Sequence, residues 1–225
     1  MKTNVYIDGF NLFHGCLQHT PYKWLDVQKL CEWHFPKNQI NQIRFFTAQV
    51  KPRPSNPDQL VHQGTYWRAL RTLPQLSIHE GRFQSHSCRM PRTNPISGQP
   101  KTVEVIRTDE KGSDVNLAAH LLVDAYKKDC DVAIIVSNDS DLMTPIFMAR
   151  KEFGIRVGVL HPLRRNIVSY SGRYPLQLAS LPHASNDLKR TGAFRKEVDE
   201  AALIACQFAP TLSDANGTIT KPVAW

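Results

Sequence analysis

Four aspartates stand where their carboxylates could act together on a phosphate group. Asp8 directly follows the apolar run 5–7, and Asp139 and Asp141 follow the apolar run 132–136 within five residues. Asp114 lies in the first turn of a helix-periodic segment that begins after another strand-like run. Ligands of parallel α/β sheets gather beyond the carboxyl ends of the strands, so these side chains can converge although they are far apart in the chain.

Carboxylates that meet in one site repel each other, and they stay ionised at neutral pH when a cation shares the site. Oxygen ligands without His or Cys favour Mg²⁺ or Mn²⁺. Such an ion binds phosphate oxygens and lowers the pKa of a bound water. The pattern therefore predicts phosphodiester hydrolysis, with Asn11 orienting Asp8 or the nucleic acid, and with these catalytic and metal-binding residues: Asp8, Asp114, Asp139 and Asp141.

Helix capping is the alternative interpretation of the same aspartates. An Asp that follows a strand is commonly an N-cap, and Asp139 or Asp141 could cap the helix that comes next. Asp114 could favour its helix through the helix dipole. Capping is the simpler interpretation for any one of these residues alone, whereas the placement of all four favours a metal site.

The periodicity of the chain predicts the elements that would position these residues. Strands are predicted at 5–7, 42–50, 76–83, 101–107, 132–136 and 155–160, and helices at 10–18, 26–34, 57–73, 113–127, 140–153 and 194–207. Ser113 is the expected cap of the helix 113–127. Strands that alternate with helices indicate an α/β fold with three α/β/α layers and a mostly parallel central sheet.

Two segments lack a clear period. Residues 84–100 are rich in Ser, Pro, Gly and Asn, which predicts a loop. Residues 210–225 predict an extended tail with a turn at Asn216-Gly217. We expect one domain at 1–182, with residues 183–225 forming a short C-terminal helix and tail packed on it.

Composition narrows the class of protein. No stretch approaches the roughly 20 apolar residues that span a bilayer, and the N-terminus has no signal-peptide pattern. The five cysteines are scattered without a CxxC pair, which predicts reduced thiols in a cytoplasmic protein. The sequence leaves the oligomeric state open, a homodimer included.

Positive charge favours a polyanionic partner such as RNA. The formal net charge is +8 and the isoelectric point is about 9.4. Basic groups around an acidic centre would hold the phosphates that flank the scissile one. The candidates for nucleic-acid binding lie in or near predicted loops: Arg53, Arg89, Arg92, Lys111, Arg164 and Arg165.

Three blocks carry the four aspartates: residues 6–12 (YIDGFNL), 110–117 (EKGSDVNL) and 136–142 (VSNDSDL). With the ending 217–225 (GTITKPVAW), they resemble NYN domains of the PIN-like nuclease superfamily, and most closely its LabA-like branch. The resemblance covers residues 5–160 and implies a PIN-like fold, a divalent metal and cleavage of RNA. By block, it implies metal-binding or catalytic roles for Asp8, Asp114, Asp139 and Asp141, with Asn11 as a further site residue.

Other enzyme classes fit less well. A haloacid-dehalogenase phosphatase needs a second Asp two residues after the first, where this chain has Phe10. A toprim-like domain would have a Glu after its first strand in place of Asp8, and no glycine-rich nucleotide-binding motif is present. The remaining alternative is a non-catalytic RNA-binding or regulatory adaptor on the same fold.

Overall fold

The computed structural model describes residues 1–52, 54, 56–94, 98–162, 188, 190–191, 193–223 and 225. Its strands are β1 (Lys2–Asp8), β2 (Gln39–Thr47), β3 (Leu76–Glu80), β4 (Arg82–Pro91), β5 (Thr102–Lys111), β6 (Val132–Val136), β7 (Arg156–His161), β8 (Phe194–Glu197), β9 (Thr211–Asp214) and β10 (Gly217–Thr220). Its helices are α1 (Gly9–Leu12), α2 (Val27–His34), α3 (Gln59–Leu70), α4 (Ser113–Lys127), α5 (Met143–Lys151) and α6 (Glu200–Ala205).

A parallel sheet of six strands forms the centre, in the order β3-β2-β1-β6-β7-β8. Every neighbouring pair in it is parallel. The two middle strands, β1 and β6, are almost wholly buried, as expected for a parallel sheet that is covered on both faces. The predicted α/β fold with a mostly parallel central sheet is therefore confirmed.

The alternation of side chains along β1 divides the core into two layers. Val5 and Ile7 point to one face and pack with apolar residues of α2, α3 and α6. Tyr6 points to the other face, where it shares a cluster with Leu117 and Leu121 of α4 and with residues of α5. These layers on either side of the sheet give the three-layer arrangement.

The predicted loop at 84–100 was wrong over its first part. Residues 82–91 form β4, which pairs antiparallel with β5 in a ribbon of ten register pairs, from Arg82↔Lys111 to Pro91↔Thr102. Most side chains of β4 are exposed on both faces, so residues 84–91 show no apolar alternation, whereas β5 overlaps the predicted strand 101–107. Pairing between the strands, which periodicity does not report, satisfies the backbone of both.

The predicted helix at 194–207 was wrong at its start. Residues 194–197 form β8, which adds to the sheet beside β7 through the pairs Gly158↔Phe194 to His161↔Glu197. The helix begins at Glu200, where the Asp199 side chain accepts the N–H of Ala202 at 2.7 Å. An open sheet edge is a tertiary feature, so local propensity could not reveal this strand.

The last described residues pack on the same core. β9 and β10 form a hairpin around the predicted turn, and Ile219 is buried. Trp24 donates its indole N–H to the carbonyl of Ala209 at 2.8 Å, and Arg68 forms a bidentate ion pair with Asp214.

The proposed boundary at 182/183 lies outside the described residues and stays a prediction. None of the helices among the described residues has the length and apolarity that crossing a bilayer requires.

Candidate functional site

The carboxyl ends of β1 and β6 lie side by side at the centre of the sheet. Ile7 is in register with Val136, so Asp8 and Ser137 leave the sheet next to each other. β2 and β3 lie on one side of this pair and β7 and β8 on the other. The connections diverge at such a switch point and leave a crevice, which is where open α/β sheets bind their ligands.

Asp8 is held in this crevice by two hydrogen bonds and by the close packing of the next residue, Gly9. One carboxylate oxygen accepts the backbone N–H of Asn11 at 2.9 Å, and the other accepts the Ser137 hydroxyl at 3.0 Å. Gly9 brings the chain against β2, because a Cβ there would lie 2.7 Å from the Phe45 ring. Asp8 is therefore both the cap of α1 and a buried carboxylate at the sheet edge.

Asn11 and Ser137 join the β1 end to the β6 end. The Asn11 side-chain oxygen accepts the N–H of Asn138 at 2.9 Å, and the Ser137 hydroxyl accepts the N–H of Asp139 at 3.1 Å. The Asp139 carboxylate then accepts the N–H of Asp141 at 3.0 Å and caps the 3₁₀ turn Ser140–Leu142. The expected cap is thus confirmed for Asp139, whose side chain also lines the crevice.

Asp114 reaches the crevice from the start of α4. Gly112 precedes that helix with φ +104°, a left-handed conformation that glycine adopts without strain. Ser113 is the first helical residue, not the predicted cap. The Glu110 carboxylate accepts both the backbone N–H of Ser113, at 3.2 Å, and its hydroxyl, at 2.7 Å.

Burial and mutual repulsion change the titration of two of these carboxyls. Burial, followed by the nearby charge of Asp139, raises the pKa of Asp8 to about 6 against the hydrogen bonds that lower it. Burial also raises the pKa of Asp114 to about 6, and the charges of Asp8, Asp139, Glu110 and Asp141 add to this effect. The site therefore carries more negative charge than its own residues compensate.

A cleft of about 1200 Å³ opens from this acidic edge. Asp8, Asp114 and Asp139 line it together with Asn11 and Asn138, so the fold brings these predicted site residues to one surface. Asp141 is exposed and does not line the cleft, although its charge reaches Asp114.

The donor set of the cleft suits a hard divalent cation. Within the described residues, no three His, Cys, Asp or Glu side chains are arranged to hold one ion directly. Mg²⁺ needs fewer, because it keeps several waters and is commonly held by one or two carboxylates. A cation between Asp8, Asp114 and Asp139 would also relieve the repulsion that raises the pKa of the first two.

The predicted basic residues are distributed unevenly. Phe83, Thr108 and Glu110 line the cleft from one face of the β4–β5 ribbon. Side chains alternate along a strand, so Arg89 is on that same face, where it donates to Thr102 at 3.1 Å.

The other predicted cations lie away from that face. Lys111 is on the opposite face of the ribbon, 4.0 Å from Asp109. Arg92 donates to the carbonyl of Pro100 near the ribbon tip. Three more of the predicted basic residues lie outside the described residues: Arg53, Arg164 and Arg165.

The sequence predicted no site role for two residues that support the site, Ser137 and Glu110. Ser137 was noted only within the block 136–142, but it is fully buried and contacts both Asp8 and Asp139. Glu110 was noted only as part of a block, yet it lines the cleft and caps α4. A hydroxyl directly after an apolar strand and a Glu three residues before a Ser were the available signals.

A family model described as "NYN domain" matches residues 2–169. The chain belongs to the NYN domain family. The match supports the PIN-like nuclease superfamily to which the sequence blocks pointed, and the LabA-like branch stays a prediction.

Two relatives extend the comparison of this NYN domain protein. A curated protein from Pseudomonas putida, 6-hydroxy-3-succinoylpyridine 3-monooxygenase HspA, is 28% identical over 250 residues, covering 100% of this chain and 75% of that protein. A solved structure of a protein of unknown function from Vibrio parahaemolyticus, VPA0982, is 14% identical with a TM-score of 0.52, covering 88% of this chain and 93% of that one. At this identity the second similarity shows the fold alone.

Replacing Ser137 by alanine is expected to lower the predicted metal-dependent hydrolysis by roughly 10–100-fold, which is the usual effect of losing a residue that orients a metal ligand. The change removes the 3.0 Å hydrogen bond to Asp8 and the acceptor for the Asp139 N–H. The lost hydrogen bond also favoured ionised Asp8, so the acidic limb of the pH–rate profile should move to higher pH. A Ser137→Thr variant, which keeps the hydroxyl, is the control, and an unshifted profile in Ser137→Ala would contradict this role.

Proposed function

We propose that the protein is a metal-dependent ribonuclease that hydrolyses RNA phosphodiester bonds at the acidic end of the cleft, which is the part lined by Asp8, Asp114 and Asp139. The main supporting observation is that Asp8, Asp114 and Asp139 converge on one wall of a large cleft at the switch point of the sheet. Membership of the NYN domain family and a net charge of +8 support the same class of substrate.

Asp8, Asp114 and Asp139 would hold Mg²⁺ or Mn²⁺ directly or through its waters, with Asp141 close enough to act through its charge. When bound, the ion would supply charge for the phosphate oxygens and lower the pKa of a water. In the reaction, a water oxygen bonds to phosphorus, the bond to the leaving oxygen breaks, and a carboxylate takes the proton of the water. Asn11 and Ser137 keep the carboxylates in place through the hydrogen bonds that join β1 to β6.

The β4–β5 ribbon would extend the binding surface beyond the scissile phosphate. Its Phe83, Thr108 and Glu110 already form part of the cleft wall, and Arg89 lies further along the same face. Arg92 and Lys111 would add charge at the tip and on the outer face of the ribbon. Contacts of this kind fix the position of a strand and carry no sequence information.

Cleavage of labelled single-stranded RNA by the purified protein tests the proposal. The expected result is cutting with Mn²⁺ or Mg²⁺ and none with EDTA. Binding without cutting, on several RNAs and with both metals, would overturn the nuclease and favour a regulatory RNA-binding protein.

A second candidate is oxidation of a small aromatic compound. It is favoured by the P. putida relative, which is named as a monooxygenase of a hydroxypyridine and whose match covers 100% of this chain. The cleft has aromatic walls, among them Phe10, Phe13 and Trp67, that could hold such a ring. Incubation with 6-hydroxy-3-succinoylpyridine, O₂ and reduced nicotinamide, followed by chromatography, separates the two: turnover of the pyridine without cleavage of RNA would replace the nuclease proposal.

Metal binding at the acidic end should weaken sharply in acid. The pKa of Asp8 and of Asp114 is about 6, so both carboxyls take up protons as the pH falls through that value. Binding of a cation requires the ionised forms, and we expect Mn²⁺ affinity to be at least about tenfold lower at pH ~5 than at pH ~7.5. Calorimetric titration at the two pH values measures this, and equal affinities would contradict metal binding by these two residues.

A further inference from the structure

The cleft has two chemically different ends. Its acidic lining residues come from the ends of β1 and β6, from β5 and from the start of α4: Asp8, Asp139, Glu110 and Asp114. Away from them, the wall is made by α3, by the loop before it and by Trp225, and it contributes no carboxylate among the described side chains. The lysines that line the cleft are Lys51, in the loop before α3, and Lys23, which precedes Trp24. The Trp24 ring contacts Trp225, whose ring also contacts His62 of α3. We call this region the basic end.

Aromatic rings form the wall of the basic end. Trp225 lies edge-to-face against His62 at 5.8 Å, Tyr66 at 5.7 Å and Trp24 at 6.2 Å between ring centroids. The Tyr66 hydroxyl donates to the carbonyl of Leu25 at 2.7 Å, which anchors the group to the core. Trp225, His62 and Tyr66 all line the cleft, so a rigid aromatic surface faces the space inside it.

Lys51 lies in a loop whose backbone is held by hydrogen bonds to side chains of α3. The Gln63 side chain accepts the N–H of Val50 at 2.8 Å and donates to the carbonyl of Ala48 at 2.9 Å. Gln59 donates to the carbonyl of Lys51 itself. Two glutamines one helical turn apart on α3 thus fix the backbone of this loop, and the position of Lys51 is built into the fold.

Lys23 is the second cation of this end, and it lies beside Trp24. Its side chain is partly buried, and burial lowers its pKa. No carboxylate in the described part of the chain lies within ion-pair distance of it. A half-buried ammonium group without a counter-charge is costly unless a ligand supplies one.

We propose that the basic end binds one nucleotide unit of the substrate, with its base against Trp225 and His62 and its phosphate between Lys51 and Lys23. The inference rests on the proposed ribonuclease function for the choice of nucleotide over another aromatic anion. A planar ring that carries a negative group is the chemistry that aromatic walls and two lysines fit together. The subsite and the acidic end belong to one cleft of about 1200 Å³, so the substrate would be an RNA strand of several nucleotides that runs along it.

Binding in the absence of metal tests the subsite without any cleavage. Fluorescence anisotropy with 5′-fluorescein-labelled hexauridylate in EDTA would be measured for the whole protein and for the variants Trp225→Ala and Lys51→Gln. We expect each variant to bind about tenfold more weakly or worse. Lys51→Gln should also lower the slope of log affinity against log salt by about one phosphate contact, whereas Trp225→Ala should leave that slope unchanged.

Lys127→Gln is the matched control, because Lys127 is an exposed lysine at the end of α4 and does not line the cleft. Affinities of Trp225→Ala and Lys51→Gln equal to that of this control would overturn the subsite. If Trp225→Ala proves unfolded by thermal melting, Trp225→Phe and His62→Ala take its place with the same expected direction.

A competition experiment tests whether the basic end prefers a nucleotide to another aromatic anion. Uridine 5′-monophosphate is expected to displace the labelled strand, and nicotinate, a free pyridine carboxylate, is expected not to. Displacement by nicotinate alone would overturn the nucleotide assignment. If the variants weaken RNA binding but the protein does not cut RNA with either metal, the nuclease proposal is wrong and the subsite stands. If the protein cuts RNA with metal and the variants bind RNA as well as the unchanged protein does, the subsite is wrong and the nuclease proposal stands.

Discussion

Replacing Asp139 by asparagine is expected to abolish metal-dependent RNA cleavage while RNA binding stays equal or becomes tighter. Asparagine keeps the oxygen that accepts the Asp141 N–H and caps the 3₁₀ turn, so the local fold should persist. The change removes a negative charge that faces Asp8 and Asp114, and with it one oxygen ligand for a cation. Loss of a proposed metal ligand should exceed the roughly 10–100-fold effect of losing a supporting residue.

Single-turnover cleavage with Mn²⁺, beside anisotropy binding in EDTA, measures both halves of this expectation. Glu152→Gln is the matched control: Glu152 is exposed at the end of α5, it does not line the cleft, and its replacement also removes one negative charge. Cleavage by Asp139→Asn at the wild-type rate would show that the site assignment is wrong. Loss of binding along with cleavage would show that the substitution damaged the fold.

Replacing Arg44 by alanine is expected to lower the free energy of unfolding by about 3 kcal/mol, the usual effect of breaking a buried ion pair from one side. Arg44 makes two 3.0 Å bonds to Asp124, which also accepts the Tyr6 hydroxyl at 2.8 Å. The side chains are 14% and 5% exposed, so Asp124 would keep a charge that water reaches poorly. Urea denaturation followed by circular dichroism measures the change.

Arg68→Ala is the control for Arg44→Ala. It breaks a pair of the same bidentate kind with Asp214, at 2.8–3.0 Å, but its side chains are 37% and 20% exposed. A more exposed pair is better solvated when broken, so a distinctly smaller loss of stability is expected. Equal losses in the two variants would show that burial does not set the strength of these pairs.

Capping and catalysis are compatible roles for the same aspartates. Asp8 caps α1 through one carboxylate oxygen, and Asp139 caps the turn after β6. Each side chain nevertheless lines the cleft. The backbone N–H groups at a helix start favour the ionised carboxylate, which is also the form that binds a cation. The capping interpretation is therefore compatible with the proposed metal binding by the same carboxylate.

The sequence by itself determined the parts of the molecule whose signals are local. The buried run 132–136 and the helix 113–127 were predicted with the bounds that the structure has, because a parallel strand and an amphipathic helix each repeat a pattern within a few residues. The order of strands and helices gave the fold class, and the polar residues after β1 and β6 marked the edge of the sheet at which the site lies.

Only the tertiary structure decided features that depend on distant partners. β4 has polar side chains on both faces, so its pairing with β5 left no period in residues 84–91. β8 exists because β7 offers an open edge, and Trp225 reaches the cleft because Trp24, Tyr66 and His62 receive its ring. Side-chain type and spacing predict which groups can do chemistry, whereas long-range packing decides which of them share one cleft and how far solvent is excluded from each.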